Sequence, residues 1–226
     1  NVAFALTGKR PHGLTNPEKW AEAVTRDFAS VVTGVSPFTH YETLARKNSV
    51  LHSVLVRGID PKRRVAVQDL SFITRPQESL ALLDAEIAAA QAGVAMPSVP
   101  EVILGVGLFQ LLEAKIGETI DLVEPDTKNL GQMKRFKVVG VYDSGLKHYD
   151  NKLVLMSLTT AQSFFAMGER VHGLEIGLKE PWDSIPIAEK MSAKYSISIR
   201  EWQSFNKPLF EAIAELAACT LNSDSL

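Results

Sequence analysis

The stretch FKVVGVYDSGLKHYDNKLVLM, Phe136 to Met156, gathers side chains that could do chemistry: Ser144, His148 and Asp150 sit in one corner beside Tyr142, Asp143 and Tyr149. A hydroxyl, an imidazole and a carboxylate are the parts of a nucleophilic triad, in which the imidazole takes the hydroxyl proton and the carboxylate orients the ring. Neighbouring positions in one short corner do not supply that geometry, and no G-x-S-x-G elbow holds the serine. Asp143 and Ser144 before Gly145 are ordinary turn chemistry, with short side chains bonding nearby backbone groups and glycine supplying positive φ. The stretch therefore reads as scaffolding.

Metal and cofactor chemistry fare no better. His12, His40, His52, His148 and His172 show no H-x-x-x-H or H-E-x-x-H spacing that would set two ligands on one helical face. His40 and His52 could face each other across a hairpin, where a cross-strand polar pair is the ordinary reading. Cys219 is the sole cysteine, so neither an internal disulfide nor a thiolate metal site can be assembled. GVGLFQ, Gly105 to Gln110, has Gln110 where the third glycine of G-x-G-x-x-G belongs, and reads as a helix start with small residues packed on a strand. There is no Walker A pattern. No cofactor is expected, an enzyme reading has no residues to stand on, and any nucleotide hydrolysis belongs to another chain.

The elements that carry these residues fall into a pattern. VAFALT is strand-like, and LTNPEKWAEAVTRDFASV predicts a helix from Pro17 to Ala29, with Asn16 as N-cap and Pro17 in the first helical position. GVSPFTHYETLAR and SVLHSVLVRGID then form a hairpin turning at Lys47-Asn48. HGLEIGLK, the helix PWDSIPIAEKMSAKY and SISIR repeat strand, helix and strand near the other end. Between these two β-α-β units lies a helix from Gln77 to Gln91, the buried strand EVILG, a short helix stopped by Gly117, and the strands ETIDLVEP, RFKVVGVY and NKLVLMSL. TTAQSFFAM follows as a helix capped by Thr159. The simplest α+β architecture is two lobes, one from 1–60 and 170–226, the other from 61–169 inserted in it. A closing helix carries one apolar stripe, Trp202, Phe205, Leu209, Ile213 and Leu216, that either packs on its own domain or continues as a stalk.

Composition fits one to two globular domains: 226 residues, 46% hydrophobic, 22% charged, with 24 basic against 26 acidic side chains. The net charge of -2 argues against nucleic acid as a partner. Lys62, Arg63 and Arg64, after Asp60-Pro61, read as a solvated turn. The longest apolar run, Val102 to Phe109, falls short of the roughly 20 residues that span a bilayer.

Taken together, VRGIDP (56–61), VILGVGLFQLLEAKIGETIDLVEP (102–125), RFKVVGVYDSGLKHYDNKLVLMSLTTAQSFF (135–165), VHGLEIGLK (171–179) and WQSFNKPLFEAI (202–213) resemble the extracytoplasmic domain of the LolC/LolE family. These are membrane subunits of lipoprotein-releasing ABC transporters in Gram-negative bacteria. The resemblance implies a MacB-like periplasmic core, with a porter-like lobe and an inserted sabre-like lobe, between transmembrane helices in the inner membrane. It also implies partners: a separate ATPase subunit, an identical or paralogous membrane subunit, a lipoprotein substrate and a LolA-type carrier. In LolC-type members a hook hairpin with a basic and polar pad engages the carrier. The matching positions are Lys128, Asn129, Leu130, Gly131, Gln132 and Met133, with Lys134 and Arg135 at the pad. This segment is shorter than a LolC hook and lacks its tip prolines, which implies either a shallower contact or a role closer to LolE. Read by itself, the apolar trio Leu130, Gly131 and Met133 between Lys128 and Lys134 suits a partner and a plain β-turn alike. The alternative is another branch of the MacB-like superfamily, serving efflux or signalling.

Overall fold

A computed structural model of the protein describes residues 2–7, 13–95, 97–124, 132–196, 198–201 and 203. In chain order these form β1 (Val2–Thr7), α1 (Pro17–Asp27), β2 (Val32–Lys47), β3 (Val50–Ile59), α2 (Pro61–Arg64), β4 (Thr74–Arg75), α3 (Glu78–Gln91), β5 (Glu101–Gly105) and α4 (Val106–Leu111). There follow β6 (Thr119–Val123), β7 (Met133–Tyr142), α5 (Lys147–Asp150), β8 (Leu153–Ser157), α6 (Leu158–Phe164), β9 (Gly173–Leu178), α7 (Ser184–Tyr195) and β10 (Ser198–Glu201).

The strands share one sheet that closes on itself. β2, β3, β8, β5, β7 and β6 are paired in that order, and β6 pairs β2 again, making a six-stranded barrel. Apolar residues on the inward faces fill it, among them Val54, Val56, Val102, Leu104, Ile120, Leu122, Phe136, Val138, Val154 and Met156. Leu108 and Leu112 follow from the α4 segment, and Ala161 and Phe164 from α6, to complete the same core. Complete burial of a residue such as Phe136 stabilises the fold by about 1.5–3 kcal/mol. Outside the barrel, Leu83 of α3 covers Ile103, Val139, Leu153 and Leu155.

Strand β2 is long enough to serve two structures. Its first half, Val32 to Phe38, pairs with β9, which leads on to β1 and β10; from Phe38 to Lys47 it pairs with β3 in the barrel. Helices α1 and α7 cover one face of this outer sheet through Val24, Leu174, Ile176, Ile187 and Met191. The barrel thus takes β2 and β3 from the first sixty residues and its other strands from 101–157.

Several local expectations are corrected. Asn16 adopts the left-handed conformation (φ 52°, ψ 56°) and makes no capping bond through its side chain. The cap of α6 is Ser157, whose Oγ accepts from Thr160 N at 3.2 Å, so Thr159 lies inside the helix. Gly117, at φ 92°, sits in the turn before β6, whereas α4 already ends at Leu111. His40 pairs with Arg57 and His52 with Ala45, so the two histidines do not face each other. The stripe from Trp202 to Leu216 lies outside the described residues, as do His12 and Cys219.

Candidate functional site

The hairpin named by the sequence is β6–β7. Its ladder runs from Thr119 opposite Lys137 to Val123 opposite Met133, and Glu124 N extends it by donating to Gln132 O at 2.8 Å. Lys128, Asn129, Leu130 and Gly131 lie outside the described residues. Of the remaining positions, Gln132 and Arg135 are exposed, while Met133 and Lys134 are half-buried.

Successive side chains of a strand point to opposite faces. Lys134 stands opposite buried Leu122 and two positions before buried Phe136, on the inward face at the rim of the barrel. Arg135 points outward, opposite Asp121. The two pad residues therefore present charge on different surfaces. On the outer surface Asp121 lies between Arg46, at 2.9 Å, and Arg135, at 3.5 Å, so one carboxylate serves two guanidiniums. Thr43 Oγ1 donates to Val123 O at 2.7 Å and ties the hairpin base to β2.

The corner at 143–150 is architectural. Asp150 is buried and accepts from Ser144 N (3.1 Å) and Ser144 Oγ (2.7 Å), and Asp143 accepts from Gly145 N (3.1 Å). His148 is exposed on the turn of α5 and bonds to neither Ser144 nor Asp150. Gly105 and Gly107, the glycines of GVG, let this corner approach: a Cβ on Gly105 would collide with the Asp150 carbonyl, and one on Gly107 with the Asn151 side chain. Among the described residues no group of histidine, cysteine and carboxylate side chains is arranged to hold a metal, and no helix is long and apolar enough to cross a membrane.

A cluster that the sequence reading missed lies where the outer sheet meets the barrel. Arg64, assigned to a solvated turn, is 5% exposed. Together with Arg57 of β3, it contacts the carboxylate of Glu175 on β9. Arg57 Nη1 also donates to Tyr149 Oη at 3.1 Å and stacks over Phe38, while Arg64 Nη2 donates to Gln68 Oε1 at 3.0 Å. Burial and the neighbouring Arg57 charge pull the Arg64 guanidinium down to about 9, and burial above all pushes the Tyr142 phenol up to about 12. Lys62 is exposed as expected, and Arg63 is half-buried, its Nη1 donating to both oxygens of exposed Glu18 at 2.6 and 2.8 Å. Glu175 inside the otherwise apolar GLEIGL was the available signal, because a carboxylate in a buried strand demands a cationic partner.

No family model matches the chain. Among curated proteins it is 22% identical, over 190 residues and 80% of its length, to the lipoprotein-releasing system transmembrane protein LolC of Neisseria meningitidis serogroup B. The chain spans 43% of the length of that relative. Solved structures that share its fold include the two that follow. The periplasmic region of MacB from Actinobacillus actinomycetemcomitans matches with a TM-score of 0.54 at 12% identity, over 91% of each chain. The extracellular domain of the noncanonic ABC-type transporter YknZ from Gram-positive bacteria matches with a TM-score of 0.51 at 10% identity, over 89% of this chain and 98% of that one.

Proposed function

We propose that this chain, a LolC/MacB-like periplasmic domain in sequence likeness and fold, works within the membrane subunit of a lipoprotein-releasing ABC transporter, helping to pass outer-membrane lipoproteins from the inner membrane to a LolA-type carrier. The observation that carries the reading is sequence similarity to a LolC along four-fifths of the chain, at a level where the fold neighbours retain only 10–12% identity. ATP hydrolysis falls to a separate subunit, and an identical or paralogous membrane subunit completes the complex. The chain then acts mechanically. It consists of a porter-like lobe from 1–60 and 170–226 and a sabre-like lobe from 61–169, with strand β2 running from the outer sheet into the barrel.

In this reading the carrier meets the β6–β7 hairpin, with Leu130 and Met133 supplying apolar contact and Arg135 a charge on the outer face. The test is biolayer interferometry of this chain against a purified LolA-type carrier, alongside the double variant Leu130→Asp/Met133→Asp. Binding that the double variant abolishes supports the carrier role. No binding at high micromolar carrier overturns it, and leaves the second reading, a MacB-like mechanotransmitting domain for efflux or signalling, which the fold likeness favours equally.

A further inference from the structure

The outer sheet has two unlike ends. At one, β2 passes on from Phe38 into the barrel, level with Gly173 of β9, Thr7 of β1 and Ser198 of β10. At the other, Val2 of β1 stands opposite Gly177 and Val32 of β2 opposite Leu178, and β10 runs toward this same end, finishing with Glu201 opposite Phe4. The chain therefore enters β1 and leaves β10 at the end remote from the barrel. The link from β9 to α7 closes that end. Lys179 N donates to Val31 O at 2.9 Å, and Gln203 Nε2, just beyond β10, donates to Trp182 O at 2.7 Å and to Ser184 Oγ at 2.9 Å.

Two large apolar side chains of this link are exposed. Trp182, in the single 3-10 turn Pro181–Asp183, is 64% exposed, and Ile185, in the first turn of α7, is 42% exposed. At a spacing of three residues they lie on one side of the link, and Pro186 beside them is exposed as well. Ile187, Ala188 and Met191 of α7 are buried in the core under the outer sheet, so the domain's own packing uses a different face of the helix. Charge does not organise the patch, because exposed Lys179 is outnumbered by exposed Glu180 and Asp183. An indole, apolar in its ring and polar at its N–H, suits the headgroup layer of a bilayer, where one side is oily and the other wet.

We propose that Trp182 and Ile185 seat this end of the outer sheet on the headgroup layer of a lipid bilayer, so that the domain stands with its barrel away from the membrane. The path of the chain points to lipid and not to another protein. Entry and exit both lie at this end, and the chain spans 43% of the length of a relative named as a transmembrane protein. The inference rests on the reading of this chain as part of a membrane subunit, and not on the carrier. Two side chains hold a bilayer weakly, so the contact forms because a membrane anchor keeps the chain at high effective concentration beside the lipid.

The test holds this chain on phosphatidylcholine vesicles through an N-terminal hexahistidine and a nickel-chelating lipid, which supplies the anchor without the rest of any complex. With Trp20→Phe and Trp202→Phe, Trp182 is the sole tryptophan left of three. Its emission should shift to the blue on tethering and be lost to dibrominated phosphatidylcholine, and Ile185→Asp should abolish both effects. Exchanging part of the lipid for phosphatidylglycerol should change neither. The control moves the indole to the far end as Trp182→Phe with Ile116→Trp. Ile116 is 53% exposed, in the turn that Lys47 Nζ ties to the β2–β3 hairpin by donating to Glu113 O at 2.8 Å, and an indole there should keep its emission. Trp182 emission untouched by the brominated lipid, an equal loss in the Ile116→Trp control, or a loss that needs phosphatidylglycerol each overturns the seat. Should the Trp20→Phe chain lack the circular dichroism of a folded protein, Trp20 is kept and the loss is read as the difference between the chain with Trp182 and its Trp182→Phe variant, and no difference overturns the seat equally. Neither result touches the carrier experiment, which tests its own reading.

Discussion

Asp27 shows how one surface side chain ties two helices to pH. It closes α1 and accepts from Lys194 Nζ at 2.8 Å, from Arg26 Nε at 2.9 Å and from Tyr195 Oη at 3.0 Å, so α7 is fastened to α1 through its carboxylate. The bonds from Lys194 and then Arg26 pull its acid down from 3.8 to about 2. A carboxyl more acidic in the folded state gives stability that is complete above its unfolded value and lost as pH falls through the folded one. The chain should therefore lose stability between about pH 4 and about pH 2, with part of that slope absent in Asp27→Asn; urea midpoints across this range are the measurement. Equal slopes in both proteins would remove Asp27 from the account. At this scale the sequence was legible where partners are local, as at Asp143, Ser144 and Gly145. It was illegible where they are distant: Arg64 was placed in solvent because Glu175, which buries it, stands far along the chain.

Elements were legible where periodicity is strong. Trp20 and Val24 announce α1, the alternation of ETIDLV gives β6, and Lys47-Asn48 does turn the β2–β3 hairpin, with Asn48 at φ 53°. The arm after β3 was not legible as an element, because its four-residue helix is held by tertiary contacts and not by propensity. Those contacts depend on two glycines that face each other across β2 and β9, Gly34 and Gly177. Ala66 lies over the pair, and Thr33 Oγ1 donates to its carbonyl at 2.8 Å. A Cβ on Gly177 would meet the Ala66 carbonyl oxygen at 2.8 Å and Val67 Cα at 3.0 Å, both main-chain atoms with little freedom to yield. Gly177→Ala should thus destabilise the chain by about 1–3 kcal/mol, the usual cost of overpacking, read as a lowered urea midpoint with an unchanged slope. A midpoint equal to the parent's would mean the arm can lift away, and that the cradle does not fix it.

Across the whole molecule, what the sequence could not disclose is closure. Strands β6 and β7 were each recognisable, but no pattern in either says that β6 also pairs with β2 and turns an open sheet into a barrel. Nor does the sequence show that Lys134 and Arg135, adjacent in the chain and grouped as one pad, take opposite faces of the wall. Closure is also unevenly built. β6 holds β7 along five residue pairs, Thr119 to Val123, but holds β2 along two, Ala45 with Leu122 and Arg46 with Asp121. Side chains reinforce the short seam: Arg46 on Asp121, Thr43 on the Val123 carbonyl, and Lys47 on Glu118 at 2.9 Å. Local opening follows the places where buried area and backbone bonds are fewest. The seam should therefore open before β5 and β8, which pair along five residues each with the ten-residue strands β7 and β3, pair with each other along three more, and have their apolar residues buried. In hydrogen exchange, amides of β6 and of β2 from Thr43 to Lys47 should exchange faster than those of β5 and β8, and Asp121→Asn should hasten them further while leaving β5 unchanged. Equal protection around the ring would show that the barrel opens only as a unit. Faster exchange at the seam alone would mean that the base of the β6–β7 hairpin, which any partner meeting that hairpin must load, rests on the least secured wall of the barrel.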